Sequence, residues 1–145
     1  MNVNYKNILV PIDGSAQADY SFKQAVEIAK RNNAKLHLLY VIDTRNVSMS
    51  TEYQPVSLDM VEKVDKVFID KMLEYAREQG IDAEKTVTNG NPSTLIAEAF
   101  PKEYGIDLIV IGATGKGAIT RALVGSVSNY VVKNAKCDVL IVREK

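Results

Sequence analysis

The chain has 145 residues, which is enough for one domain with a single core and too few for two. Its 18 Lys and Arg residues balance 18 Asp and Glu residues, so the formal net charge is zero. Proteins that hold nucleic acid through its phosphates normally carry a basic excess, so no nucleic-acid partner is expected. No apolar run approaches the ~20 residues of a membrane span, and the single cysteine, Cys137, allows no internal disulfide. We expect one cytoplasmic domain over residues 1–145, without a membrane partner.

Apolar, β-branched runs alternate with longer stretches of helical period along the chain. The runs predict five strands, at Asn7–Ile12, Lys35–Ile42, around Ala83–Thr88, at Asp107–Ile111 and at Asp138–Val142. The stretches between them predict four helices. The first has Ala18, Phe22, Ala25, Val26 and Ala29 on one face. The second is marked by Val61, Val64, Phe68, Met72 and Tyr75 and ends at Gly80. The third, Ser93–Tyr104, is expected to point Leu95, Ile96, Ala99 and Phe100 inward. The fourth helix is expected near Val127–Asn134.

Five strands alternating with four helices predict an α/β domain with an open parallel sheet, covered by helices on both faces and joined by right-handed crossovers. Pro11 lies inside the first strand, although a proline cannot donate the hydrogen bond that a central strand uses. Its position near the carboxyl end of that strand, beside a binding cleft, weakens this objection. In such sheets ligands bind beyond the carboxyl ends of the strands, where the strand order reverses. Functional residues are therefore expected there.

The connection after the fourth strand is the most unusual segment of the sequence. The stretch from Gly112 to Gly125 contains four of the eight glycines in the chain, and typical strand-to-helix loops have only about 2–6 residues. Glycines allow backbone amides to converge on an anion, because they accept positive φ and lack a Cβ. Ser126 is a suitable N-cap for the following helix, whose free amides can bind phosphate. The segment is either an anion site or a surface loop with glycines at its corners.

The spacing of this loop is similar to a known signature. Gly112-x-x-Gly115, nine residues and then Gly125-Ser126 resemble the G-x2-G-x9-G-[S/T] pattern of ATP-binding universal stress proteins. Four other segments resemble the family in the same order along the chain: Ile8–Ser15, Gly90–Pro92, Asp107–Gly112 and Val139–Arg143. The chain is therefore identified as a member of the ATP-binding subgroup, and the family's strand order, 3-2-1-4-5, is implied. Asp138 departs from the proline that many relatives carry.

The resemblance also implies a set of nucleotide-binding residues. Ribose and phosphates would lie against Gly112, Ala113, Thr114, Gly115, Lys116, Gly117 and Ala118. The triphosphate site would be completed by Gly125, Ser126, Val127 and Ser128. Adenine, ribose or a metal would be contacted by Pro11, Asp13 and Val41. The implied cofactor is ATP with Mg or Mn, and Asp13 is the expected metal ligand.

Three functions remain open from the sequence. The first is an ATP-binding regulatory module of the stress response that forms a homodimer through its last strand and acts on an unidentified protein partner. The second is a slow ATPase or a phosphotransfer enzyme using the same site, although no histidine or glutamate lies near the loop to position water. The third is an interaction domain with an empty cleft. The intact glycine signature favours the first.

Four further features have a plain and a functional interpretation. Asp13 is either a turn former or a ligand of metal and nucleotide, and the resemblance favours the latter. His37, inside a strand, is expected to be structural, and Cys137 is expected to be an inert buried thiol. The polar segment Asp43–Ser57 is either a disordered loop or a lid or partner surface, and the second is preferred.

Overall fold

The structure is a computed structural model, and it describes residues 4–12, 16–43, 58–113 and 125–143. Side chains are described in residues 4–12, 18–42, 67–113 and 125–143. The interpretation of the segment Asp43–Ser57 as a lid or partner surface lies almost entirely outside these ranges.

Strands and helices alternate along the described chain. The strands are β1 (Asn7–Ile12), β2 (Lys35–Asp43), β3 (Ala83–Gly90), β4 (Leu108–Gly112) and β5 (Asp138–Val142). The long helices are α1 (Ala16–Asn32) and α2 (Leu58–Glu78). A helical stretch called α3 here joins three segments, Pro92–Thr94, Leu95–Ala99 and Phe100–Tyr104, and α4 spans Ser126–Asn134. Among the described residues, no helix combines the length and the apolar character that crossing a membrane requires.

The five strands form one parallel sheet in the order β3-β2-β1-β4-β5, so the predicted fold is confirmed. The strand order reverses between β1 and β4, because β1 lies beside β2 on one side and β4 on the other. The carboxyl ends of these strands are therefore the place where the fold favours a ligand site.

Side chains of the sheet point alternately to its two faces, and both faces are buried. Ile8, Val10 and Ile12 of β1 pack with α1 and α2, whereas Leu9 packs on the opposite face with α3 and α4. Burial on both faces explains why β1 and β4 read as continuous apolar runs rather than as an alternation of polar and apolar residues.

The helix α3 differs from the regular helix that its sequence predicts. Its middle segment, Leu95–Ala99, is a π-helix, in which the amide of Phe100 donates to the carbonyl of Leu95. Pro101 follows, and a proline cannot donate to the carbonyl four residues earlier. The wider turn makes Ala97 buried and Ala99 exposed, so the prediction that Ala99 points inward was wrong. Ile96 and Phe100 are buried as predicted.

Candidate functional site: the carboxyl ends of strands one and four

The carboxyl end of β4 is joined to the beginning of α4 by two hydrogen bonds. The Ser128 hydroxyl donates to the carbonyl of Gly112 at 2.6 Å, and the amide of Gly125 donates to the carbonyl of Ala113 at 2.7 Å. Ala113 in turn donates its amide to the carbonyl of Val142 at 2.9 Å. The first and last glycines of the sequence signature, Gly112 and Gly125, are thereby brought together at one edge of the sheet.

The amino terminus of α4 is formed by Gly125 rather than by a serine. Gly125 is the N-cap, with φ −61° and ψ 161°, and no side chain among the described residues caps this end of the helix. The prediction that Ser126 is the N-cap was therefore wrong by one residue, since Ser126 is the first helical residue. The first helical bond runs from the amide of Asn129 to the carbonyl of Gly125. Amides before Asn129 have no acceptor within the helix, which is the arrangement that suits an anion.

The two signature glycines that the structure describes do not use positive φ. Within the described residues, the glycines with positive φ are Gly80, Gly90 and Gly105. Gly112 belongs to a strand, and Gly125 has an extended conformation that other residues also adopt. The property that distinguishes Gly112 and Gly125 at this corner is therefore the missing side chain, which lets another group approach the backbone.

The β1 and β4 strands are paired at Ile8–Leu108 and Leu9–Ile109, whereas β1 pairs with β2 along its whole length. Pro11 lies two residues beyond the last pair with β4 and has no amide hydrogen to donate. The proline therefore lies where pairing with β4 has ended, at the reversal of strand order. This position removes the objection that Pro11 raised against a central strand.

Two apolar residues border this end of the sheet. Val41 of β2 is half-buried and packs on the same cluster as Val127 of α4. Pro11 is also half-buried, and it shares a face with Leu9 because side chains alternate along a strand. The site therefore combines apolar surface from β1 and β2 with backbone amides from α4.

The structure locates eight of the predicted site residues at this edge: Pro11, Val41, Gly112, Ala113, Gly125, Ser126, Val127 and Ser128. The other six lie outside the described residues: Asp13, Thr114, Gly115, Lys116, Gly117 and Ala118. Ser126 is exposed, whereas Ser128 is buried and bonded to Gly112. Among the described side chains, no group of three or more His, Cys, Asp or Glu residues could hold a metal ion.

The His37 side chain lies in the core, away from this edge. It pairs in register with Leu9 on β1, and its Nε2 lies 3.2 Å from Oδ1 of Asn7 at the amino end of β1. Its ring packs against Phe100 and Tyr104, with centroid distances of 6.1 and 5.6 Å. These contacts are structural, as the sequence indicated.

The thiol of Cys137 is half-buried at the amino end of β5. Burial raises its pKa, and the nearby Asp138 carboxylate raises it further. A higher pKa lowers the fraction of reactive thiolate, which is consistent with an inert thiol, although the residue is half-buried rather than buried as expected. Asp138 itself accepts a hydrogen bond from the Tyr5 hydroxyl at 2.7 Å, so it ties the amino-terminal segment to β5.

Sequence reasoning missed two contacts that hold α4 in place. One is the bond from Ser128 to the carbonyl of Gly112, which joins residues sixteen positions apart. The other is the bond from the Tyr130 hydroxyl to the Glu98 carboxylate at 3.0 Å, which links α4 to the π-helical part of α3. Neither pair has a local sequence pattern, because each contact depends on how separate elements pack.

The comparisons with known proteins agree with this geometry. A model of the universal stress protein family matches residues 4–143. A putative universal stress protein of Staphylococcus aureus is 40% identical over 146 residues, covering 97% of this chain and 86% of the relative. The solved structure of universal stress protein UspA from Lactobacillus plantarum is 33% identical, with a TM-score of 0.80 and coverage of 98% of this chain and all of that one.

A second solved structure bears on the ligand. It is a universal stress protein in complex with cAMP, 27% identical to this chain, with a TM-score of 0.70. The alignment covers 97% of this chain and 98% of that one. Taken with the family match across nearly all of the sequence, these likenesses show that the chain belongs to the universal stress protein family.

Proposed function

We propose that this protein binds an adenine nucleotide, with ATP as the ligand, at the carboxyl ends of β1 and β4. The observation that carries the proposal is the pair of hydrogen bonds that brings Gly112–Ala113 and Gly125–Ser128 together. Those residues form the two ends of the ATP-binding signature, and they lie at the reversal of strand order, where this class of sheet binds its ligands. The related structure with bound cAMP supports an adenine nucleotide as the ligand class.

The described residues provide surfaces of the right kind for two parts of such a ligand. Pro11 and Val41 offer half-buried apolar surface, which suits an adenine ring. The amides at the start of α4 offer hydrogen bonds and the positive end of a helix dipole, which suit phosphate. The proposed site also includes Thr114, Gly115, Lys116, Gly117 and Ala118, together with Asp13 as the ligand of Mg or Mn.

We assign the nucleotide a regulatory rather than a catalytic role. In this proposal the protein is a cytoplasmic homodimer that responds to stress, and bound nucleotide changes its affinity for a protein partner. The differential affinity of the nucleotide for two states of the protein would supply the signal. Turnover of ATP by the pure protein that disappears in Asp13→Ala would instead favour an ATPase or phosphotransfer function.

The direct test is calorimetric titration of the purified protein with ATP, ADP, AMP, cAMP and GTP. We expect ATP to bind with a Kd on the order of micromolar and GTP to bind more weakly. A protein that binds none of the adenine nucleotides, and carries none after purification, would contradict the proposal and leave only the interaction domain.

A variant at the helix start tests whether the nucleotide lies at this corner. Gly125→Val should raise the Kd for ATP at least about tenfold, because the added side chain occupies space beside the amides. The φ of −61° and ψ of 161° at Gly125 are accessible to valine, so the variant should remain folded. Lys133→Val, at the exposed far end of the same helix, is the matched control and should bind ATP normally.

A further inference from the structure

We propose that Ser128 is a positioning residue of this site and not a ligand of the phosphates. The proposal rests on the proposed function and assigns Ser128 a different role from the one implied by the sequence signature. In it, the Ser128 hydroxyl fixes the orientation of α4 relative to β4, and the amides of α4 then bind the anion.

The Ser128 side chain is committed to the protein interior. Only 4% of the residue is exposed, and its hydroxyl proton is used in the 2.6 Å bond to the carbonyl of Gly112. A hydroxyl has one proton to donate, so Ser128 has none left for a phosphate oxygen. Ser126, two residues earlier, is exposed and has no such commitment among the described contacts.

The bond from Ser128 does not act alone. Gly112 and Ala113 are consecutive, and their carbonyls accept from Ser128 and Gly125, respectively, on the first turn of α4. One hydrogen bond would fix the distance between β4 and α4 but would leave the helix free to rotate about that bond. Two bonds donated to consecutive carbonyls fix both the distance and the rotation, so the first amides of the helix are held in one direction.

A fixed helix start lowers the entropic cost of binding. When donors are already oriented, the ligand does not have to order them, and the affinity rises by the cost that is avoided. Loss of the Ser128 hydroxyl would also leave the buried carbonyl of Gly112 without this donor, which favours a displaced helix start. Ser128 therefore affects the phosphate through Gly112 and the amides of α4.

The test compares Ser128→Ala and Ser128→Thr with a matched buried serine. Ser21 is 0% exposed, and its hydroxyl donates at 2.9 Å to the carbonyl of Ala18 in its own helix, α1, which packs on the opposite face of the sheet from α4. We expect Ser128→Ala to raise the Kd for ATP about five- to tenfold, which is the range of one neutral hydrogen bond. Ser128→Thr keeps the hydroxyl and should restore most of the affinity, and Ser21→Ala should leave the Kd unchanged.

A second measurement needs no nucleotide. Amide hydrogen exchange, followed by NMR in the ligand-free protein, reports directly on the bond from Gly125 to Ala113. We expect the Gly125 amide to exchange about tenfold faster in Ser128→Ala and at the normal rate in Ser21→Ala. Exchange restored in Ser128→Thr would separate loss of the hydroxyl from general loosening of the core.

Three results would overturn the assignment: unchanged exchange at Gly125 in Ser128→Ala, faster exchange with unchanged ATP affinity, or equal loss of affinity in Ser21→Ala. Unchanged exchange would show that Ser128 does not position the helix start. Faster exchange with unchanged affinity would show that this positioning does not affect binding. Equal loss of affinity in Ser21→Ala would show that the effect comes from a general loss of stability. If the wild-type protein binds no adenine nucleotide, the proposed function and its dependent role for Ser128 both fail. The exchange data still show whether Ser128 holds the helix start.

Discussion

His37 in β2 is a titratable residue with 5% of its surface exposed. Burial lowers its pKa from the ordinary 6.5 because the charged ring loses its contact with water. The positive charge of Lys35 lowers the pKa further, whereas the carboxylates of Glu84 and Asp82 act in the opposite direction and are weaker. The neutral ring can donate its Nε2 proton to the Oδ1 of Asn7, and so His37 helps to join β2 to β1.

The lowered pKa of His37 predicts a loss of stability in acid. Below about pH 6.5 His37 binds a proton in the unfolded chain but stays neutral in the folded chain. The free energy of unfolding therefore falls as the pH falls. In His37→Gln this contribution is absent, while the amide can still donate to Asn7. Urea unfolding between pH 7.5 and 5 should therefore show a smaller loss for the variant than for the wild type. Parallel curves for the two proteins would contradict the prediction.

At the scale of single residues, the sequence predicted burial better than it predicted bonding. His37 was placed in the core by its apolar neighbours Leu36 and Leu38, and it is there. The role of Ser128 was not predictable, because its partner is a backbone carbonyl sixteen residues earlier. From sequence alone, a hydroxyl near the start of a helix suggests a donor to phosphate. Only the packed structure shows that the Ser128 hydroxyl donates to a backbone carbonyl.

At the scale of elements, α3 shows how one proline changes the face that a helix presents. The π-helical segment before Pro101 buries Ala97 with Ile96 and Phe100, and leaves Ala99 exposed. The same segment carries Glu98, which accepts from Tyr130 of α4. The register of α3 therefore also determines how it contacts the helix of the proposed nucleotide site.

Two glutamate substitutions test this register. Ala97→Glu should lower the free energy of unfolding by about 3–5 kcal/mol, because it leaves an uncompensated charge in the core. Ala99→Glu should change it by no more than about 0.5 kcal/mol, because the side chain projects into water. Chemical denaturation of both variants measures the difference. Equal losses in the two variants, or a larger loss in Ala99→Glu, would contradict the π-helical register.

The elements themselves were largely predictable, whereas their limits were predictable only in part. The run Asn7–Ile12 was predicted with the bounds it has, because a parallel strand buried on both faces is continuously apolar. The run Asp138–Val142 also has its predicted bounds, although Asp138 and Leu140 in this outer strand are exposed. β3 extends two residues beyond the predicted Thr88, because its backbone continues to pair with Ile42 and Asp43 after the apolar pattern has ended. Pairing with a neighbouring strand is a tertiary property, which a local pattern does not contain.

At the scale of the whole molecule, β5 is the outermost strand of the sheet on its side. Leu140 at its centre is 37% exposed, which leaves apolar surface along a strand whose outer edge has no partner among the described strands. An unpaired apolar edge is a hazard that pairing with a second copy removes. This is the surface through which we propose that the homodimer forms.

A charge introduced into this surface by substitution should dissociate the proposed dimer. Leu140→Lys is expected to raise the dissociation constant of the dimer at least about tenfold, because it places a charge in an apolar contact. Val67→Lys in α2, where valine is 56% exposed, is the matched control and should not affect assembly. Analytical ultracentrifugation distinguishes the 16.0 kDa monomer from a dimer. A wild-type protein that sediments as a monomer, or a Leu140→Lys dimer of normal strength, would contradict this interface.

The bond between Ala113 and Val142 connects the two proposals. Ala113 begins the loop at the proposed nucleotide site, and its amide donates to the carbonyl of the last residue of β5. If a second copy displaces β5, the acceptor of that amide moves with it. Thermodynamic linkage is reciprocal, so any factor by which self-association strengthens ATP binding must equal the factor by which ATP strengthens self-association. The fraction of dimer would then depend on the cellular concentrations of both the nucleotide and the protein itself.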